Sequence, residues 1–370
     1  MTTPLAILAN IYSEAHDKLK GFAITEPDFA EKIENICRCQ ANRATVRLLM
    51  ACLLAKLDRP QIDPRKPYIE IGTDDAFSGR TYDEQYLTTF ITEHRLPCNI
   101  TTAFLTPALR NISQPLTLDM EIIGRPREVY RYTLEILDAV AHGTLHSKPL
   151  LTDIVRYLLI IRDENAERLK TLLAGRDSRQ QRVALSSESI VTLLQQHLAC
   201  KHVSRLPVLI VAAALKVVES SLREHLKNLH AHTAADKQTG ALGDIEITLE
   251  DDEHIVTCYE MKLKAVTVHD IQAAILKFHH EPMLDNYIFI TTESIGEDVR
   301  IYANTIYDES GIEVAILDCI GFIRHFLHLF HRIRMEFLNE YQRLILNEPD
   351  SAVNQSLKEA FLVLRRAAEG

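Results

Sequence analysis

Two β-prone runs flank a short acidic reversal between Gly243 and Lys262, and no other stretch of the chain constrains the fold as tightly. The first run, Ile245-Glu246-Ile247-Thr248-Leu249, is opened by Asp244. The reversal is Glu250-Asp251-Asp252-Glu253, and the second run goes from His254 to the triplet Glu260-Met261-Lys262. Runs of this kind form a β-hairpin, in which the end of the second strand returns to the start of the first. Asp244 is therefore expected beside the triplet. Side chains alternate along a strand, so Glu260 and Lys262 project from one face. Charges at the end of an otherwise apolar strand require a reason. Two carboxylates suit a hard divalent cation, and a neighbouring ammonium can orient or deprotonate a water. That is the minimal equipment for metal-assisted phosphodiester hydrolysis.

The surrounding pattern extends the hairpin into a sheet. A long helix from about Val208 to His230 and a flexible Thr233–Gly240 segment precede it. A helix over Val268–His279, the β-prone Asn286–Thr291, a short helix near 297–305, the strand Ile312–Leu317 and long helices from 319 onward follow. The order α-β-β-(β)-α-β-α-β predicts an α/β (α+β) mixed sheet flanked by helices. The first sixty residues read as helical up to Pro60, with Pro64 and Pro67 breaking regular structure beyond it. Helical patterns return over 81–96, 125–142, 150–174 and 186–200, separated by a polar, irregular 97–115. A boundary near residue 200 divides a mainly helical part, 1–200, from the sheet-bearing 201–370.

A chain of 370 residues has room for two such domains. No apolar run approaches the ~20 residues that span a bilayer. Met1-Thr2-Thr3-Pro4 lacks the charged and apolar regions of a signal peptide. Seven cysteines form no CxxC pair, which fits reduced thiols in a cytoplasmic protein. The net charge of −10 argues against a non-specific nucleic-acid binder, since neutralising phosphates needs clustered Lys and Arg. Local distribution differs: 244–253 holds six acids and no base, whereas Arg176, Arg179 and Arg182 fall within seven residues. No GxxxxGK[ST] or GxSxG occurs, so the ATPase and α/β-hydrolase classes lack support.

Gly243-Asp244 followed by Glu260-Met261-Lys262 resembles the PD-(D/E)xK signature of restriction-type nucleases, with Gly243 in place of the usual proline. The upstream block Asp74-Asp75-Ala76-Phe77-Ser78-Gly79-Arg80-Thr81 is similar to a block in the SacI-type family of type II restriction endonucleases. Members of that family are single chains of similar length with the catalytic core toward the C-terminus. The likeness runs through residues 60–280, in short blocks. It implies a restriction-endonuclease-like sheet core in which Asp244 and Glu260 bind Mg²⁺, the Met261 carbonyl is a further ligand and Lys262 orients the attacking water. Glu219 matches where many members place an extra acid, and reads equally as a solvent-facing helical glutamate. Lys262 is preferred to Lys264 because it lies two residues from Glu260. Glu246 and Lys264 share faces with these residues and could be surface charges; Gln272 could contact the site or DNA.

The region 75–111 carries Arg80, Tyr82, Asp83, His94, Asn99, Thr101, Thr102, Arg110 and Asn111, donor-rich side chains of the kind that read base edges or hold phosphates. Polar loop and capping roles would use the same residue types. With the resemblance, Arg80, Tyr82, Asn99, Thr101, Arg110 and Asn111 are expected to contact DNA, and Arg176, Arg179 and Arg182 to form a phosphate clamp or a solvated inter-helix loop. His325, His328 and His331 spread around a helix rather than converging, which fits an ordinary amphipathic helix better than a zinc site. Cys37 and Cys39 match no zinc or redox spacing. The expectation is a Mg²⁺-dependent type II restriction endonuclease acting on double-stranded DNA, a homodimer paired functionally with a DNA methyltransferase of the same site. A non-catalytic DNA-binding protein with this fold and a nuclease acting on RNA or branched DNA are the alternatives.

Overall fold

The computed structural model describes residues 3–17, 21–99, 102–177, 184–229, 241–278 and 283–369. The expected flexible segment Thr233–Gly240, and Thr101, Arg179 and Arg182, lie outside them. The chain divides into two compact units, Met1–Arg168 and Leu169–Gly370. The division falls within a long helix rather than near residue 200, and the helix over 187–198 belongs to the sheet-bearing unit.

The N-terminal unit is helical: α1 (Pro4–His16), α2 (Pro27–Arg38), α3 (Ala44–Asp58), α4 (Gly79–Tyr82), α5 (Thr88–Glu93), α6 (Arg127–Ala141) and most of α7 (Ser147–Asp177). A π-helical turn, Asp83–Leu87, joins α4 to α5. Proline opens α1 and α2, where its missing N–H leaves no intrahelical bond unmade. Every residue of α3 from Ala44 to Ala55 is buried, which explains why this segment is apolar on all sides instead of striped. Helices α1, α4 and α6 pack around it. Arg47, inside α3, is fully buried and donates from Nε to Asp83 Oδ1 at 2.7 Å.

The second unit supplies α8 (Ser187–Leu198), α9 (Leu206–Leu222), β1 (Glu224–Leu226), β2 (Ile245–Leu249), β3 (Ile255–Lys262), α10 (Val268–Phe278), β4 (Asn286–Thr291), α11 (Glu297–Ser310), β5 (Glu313–Asp318), α12 (Cys319–Leu329), α13 (Arg334–Asn347) and α14 (Gln355–Glu369). The five strands form one mixed sheet in the order β1-β2-β3-β4-β5. β1, β2 and β3 are antiparallel neighbours, and β3, β4 and β5 run parallel. The parallel half requires crossovers, which α10 and α11 provide. On that face Cys258, Tyr287, Phe289, Val314 and Ile316 pack with Ile271 and Ala274 of α10 and Val299, Ala303 and Ile306 of α11. The opposite face, with Ile245, Ile247, Tyr259, Ile288 and Ile290, packs on Val208, Val211 and Ala212 of α9. Helices α8, α9, α12, α13 and α14 close a further apolar core.

One strand departs from expectation. The helix predicted to reach His230 ends at Leu222, because Arg223 takes a left-handed φ of 56°. The chain then turns, and Glu224–Leu226 pair with Leu249–Ile247 on the free edge of β2. Among the described residues no helix is long and apolar enough to cross a membrane. All seven cysteines are free thiols.

Candidate active site

The hairpin brings the predicted residues together through its backbone. Asp244 precedes β2, and its N–H donates to the Tyr259 carbonyl at 2.9 Å. Its carboxylate turns back on the same strand, where Oδ2 accepts from the Met261 N–H at 2.8 Å. Glu246 lies opposite Cys258 in the ladder, and the even-numbered residues Cys258, Glu260 and Lys262 follow one another on that face of β3. The Lys262 ammonium donates to Glu260 Oε1 at 2.9 Å. Both charged groups are mostly shielded, with side chains 22% and 15% exposed, so salt screens this contact less than a surface pair.

Four residues outside the predicted set complete the surroundings. Asp270, in the first turn of α10, places Oδ1 3.7 Å from Lys262 and 3.6 Å from Lys264. Burial works against its charge, but hydrogen bonds from Thr267 and the two lysines prevail and hold its carboxyl below the usual range. Lys277, at the far end of α10, stands 3.8 Å from Glu260 Oε2. Tyr287 of β4 places its hydroxyl 3.4 Å from that same oxygen. Burial, reinforced by Glu260, pushes the Tyr287 phenol far above its ordinary value, so it stays a neutral hydrogen-bonding group. Cys258 is likewise pushed up by burial and is no thiolate nucleophile. Glu246 is buried, not a surface charge: it accepts from the Leu242 N–H at 2.8 Å and meets Lys227 at 3.1 Å. Lys264 is largely exposed and faces Asp270, whereas Lys262 is hydrogen-bonded to Glu260.

Glu219 has a different environment. Its carboxylate caps the turn from α9 to β1, contacting Lys216 at 2.5 Å, the Leu226 N–H at 2.9 Å and His225 at 2.9 Å. Those bonds belong to the end of the sheet that carries the 249–253 reversal. Gln272 is exposed on α10.

The expected DNA-contacting residues separate by exposure. Arg80, Arg110 and Asn111 are exposed, with Arg80 paired to Glu84 at 2.8 Å. Tyr82 is turned inward, its hydroxyl donating to Asp58 at 2.6 Å and its ring packed near Phe77 and Tyr86, so it is a core residue and not an exposed reader. Asn99 is half-buried, and its carbonyl accepts from Arg47. Asp83 and Thr102 are structural too: Asp83 Oδ2 accepts from the Thr102 hydroxyl and the Ala103 N–H, each at 2.7 Å. Arg176 lies in the last turn of α7 and its side chain is outside the described set. His325 and His328 are exposed on α12, flanking buried Phe326 and Leu327, as an amphipathic helix requires.

Among the described residues, no three His, Cys, Asp or Glu side chains gather as a metal-binding group. Beside Met261 the hairpin offers the Asp244 and Glu260 carboxylates and main-chain carbonyls, while the Glu246 carboxylate on the same face is taken up by Leu242 and Lys227. This all-oxygen donor set suits a hard cation such as Mg²⁺ and not a thiophilic one. No protein-family model matches the chain, and no curated protein matches it.

Proposed function

We propose that this protein is a Mg²⁺-dependent, site-specific endonuclease of the type II restriction class. Its C-terminal unit would carry a restriction-endonuclease-like core, and its helical N-terminal unit would recognise the DNA sequence. One observation supports the reading: Asp244 accepts from the Met261 N–H, and on either side of that residue the Lys262 ammonium donates to Glu260, so residues spread over 19 positions meet at the end of β3. The mixed sheet, antiparallel through β3 and parallel beyond it, supports the same class. When bound, Mg²⁺ would polarise the scissile phosphate and acidify a water. Asp244, Glu260 and the Met261 carbonyl would hold the cation. Lys262 would position the attacking water through its ammonium, and exposed Arg80, Arg110 and Asn111 offer donors for phosphate or base edges. Cutting both strands of a palindrome calls for two sites, hence a homodimer, and a methyltransferase acting on the same sequence is the implied functional partner.

Purified protein with Mg²⁺ should cut plasmid DNA into discrete fragments whose sequenced ends share one site. Asp244→Ala and Lys262→Ala should each lose at least ~100-fold in cutting while still retarding DNA in gels. Undiminished cleavage by both variants would sink the assignment. Digestion of single strands and RNA alongside duplex identifies the substrate.

A further inference from the structure

We infer that Tyr287 and Glu246 are positioning residues that clamp the main chain on both sides of the Leu242 Cα and so set where Asp244 and Glu260 stand. The inference rests on the nuclease reading above. Leu242 is buried, and both of its main-chain polar groups are taken up by side chains of the sheet. Its N–H donates to Glu246 Oε1 at 2.8 Å, and its carbonyl accepts from the Tyr287 hydroxyl at 3.0 Å. Two residues later the chain delivers Asp244, whose N–H is tied to Tyr259. The Tyr287 hydroxyl also lies 3.4 Å from Glu260 Oε2. One phenol thus touches the segment that carries the first carboxylate and the second carboxylate itself.

The chemistry of these groups fits positioning better than packing. An apolar residue at 246 would fill the strand without the cost of burying a carboxylate, which here needs Lys227 at 3.1 Å to balance it. Outer partners of this kind fix the orientation of groups that hold a cation, and their loss weakens metal affinity by roughly 10–100-fold. Neither residue would touch the scissile phosphate, so neither is a catalytic residue.

The test uses the full chain and Mn²⁺ alone as probe, with free Mn²⁺ read by electron paramagnetic resonance. Tyr287→Phe keeps the ring and removes the hydroxyl, and Glu246→Leu keeps the volume and removes the acceptor. Each should weaken Mn²⁺ binding about 10-fold, and plasmid cutting should lose kcat with KM for DNA unchanged. Ile323→Val, a core change in α12, should lower the unfolding midpoint and leave Mn²⁺ affinity as in wild type. Wild-type Mn²⁺ affinity in Tyr287→Phe, with binding lost in Glu260→Gln, overturns the clamp and leaves the nuclease reading standing. Wild-type affinity in Asp244→Asn and Glu260→Gln as well overturns both.

Discussion

Gly243 shows how one atom can govern this site. A Cβ built there would stand 2.6 Å from Cys258 Sγ and 2.7 Å from the Tyr259 carbonyl oxygen, closer than real side chains come. Neither neighbour can retreat, since Cys258 is buried and the Tyr259 carbonyl is held by the Asp244 N–H at 2.9 Å. Gly243→Ala should therefore push the chain off β3 and cost roughly 1–3 kcal/mol, the range for overpacking. Urea denaturation measures that loss. Adding Cys258→Ala removes one of the two clashes and should recover part of it. A Gly243→Ala variant as stable as wild type would show that the strand gives way more easily than this geometry allows.

At the scale of elements, the π-helical turn between α4 and α5 is held by a buried ion pair. Asp83 accepts from Arg47 through Oδ1 and from Thr102 and Ala103 through Oδ2, while Arg47 also donates to the Thr88 hydroxyl at 2.9 Å. Removing one partner leaves the other charge buried and unpaired, so Asp83→Ala should destabilise the N-terminal unit by about 3–5 kcal/mol, read by thermal unfolding. Replacing Arg47 and Asp83 together by apolar residues should cost less than Asp83→Ala alone. From sequence, Asp83 looked like one more polar residue in a donor-rich stretch, because periodicity reports faces and not partners. The same limit hid Asp270, Lys277 and Tyr287. Tyr287 reaches Glu260 because β4 runs parallel to β3 in a register that sets Tyr287 beside Cys258, on the face that carries Glu260. β1 was illegible for another reason: its three residues are too few for an alternating pattern. The β2–β3 hairpin, α10, β4 and α11 could be read because each repeats its period over enough residues. Asp244 could be expected beside Glu260-Met261-Lys262 because hairpin pairing returns the end of β3 to the start of β2.

At the scale of the whole molecule, the helical core beside the sheet of the second unit buries a histidine among its apolar side chains. His197 of α8 is fully buried, with Nε2 3.1 Å from the Leu357 carbonyl and Nδ1 3.0 Å from the Tyr341 hydroxyl. A carbonyl only accepts, so Nε2 carries the proton and neutral Nδ1 accepts from the tyrosine. Burial lowers the His197 pKa to about 4, against an ordinary 6.5, with the Leu357 bond opposing the shift. Between those values the unfolded chain binds a proton that the folded chain refuses, so stability must rise with pH across that window. Acidifying from neutrality should therefore weaken this unit once pH passes below about 6.5, with the loss complete near pH 4 and worth about 3 kcal/mol. Carboxylates titrate in the lower part of the same range, and a variant separates their effect. His197→Gln keeps an amide N–H for Leu357 and an oxygen for Tyr341 but cannot be charged. Its stability relative to wild type should improve steadily from pH 7 to pH 4 in urea titrations. A difference between the two proteins that does not change with pH would show that His197 is protonated as readily in the folded chain as in the unfolded one.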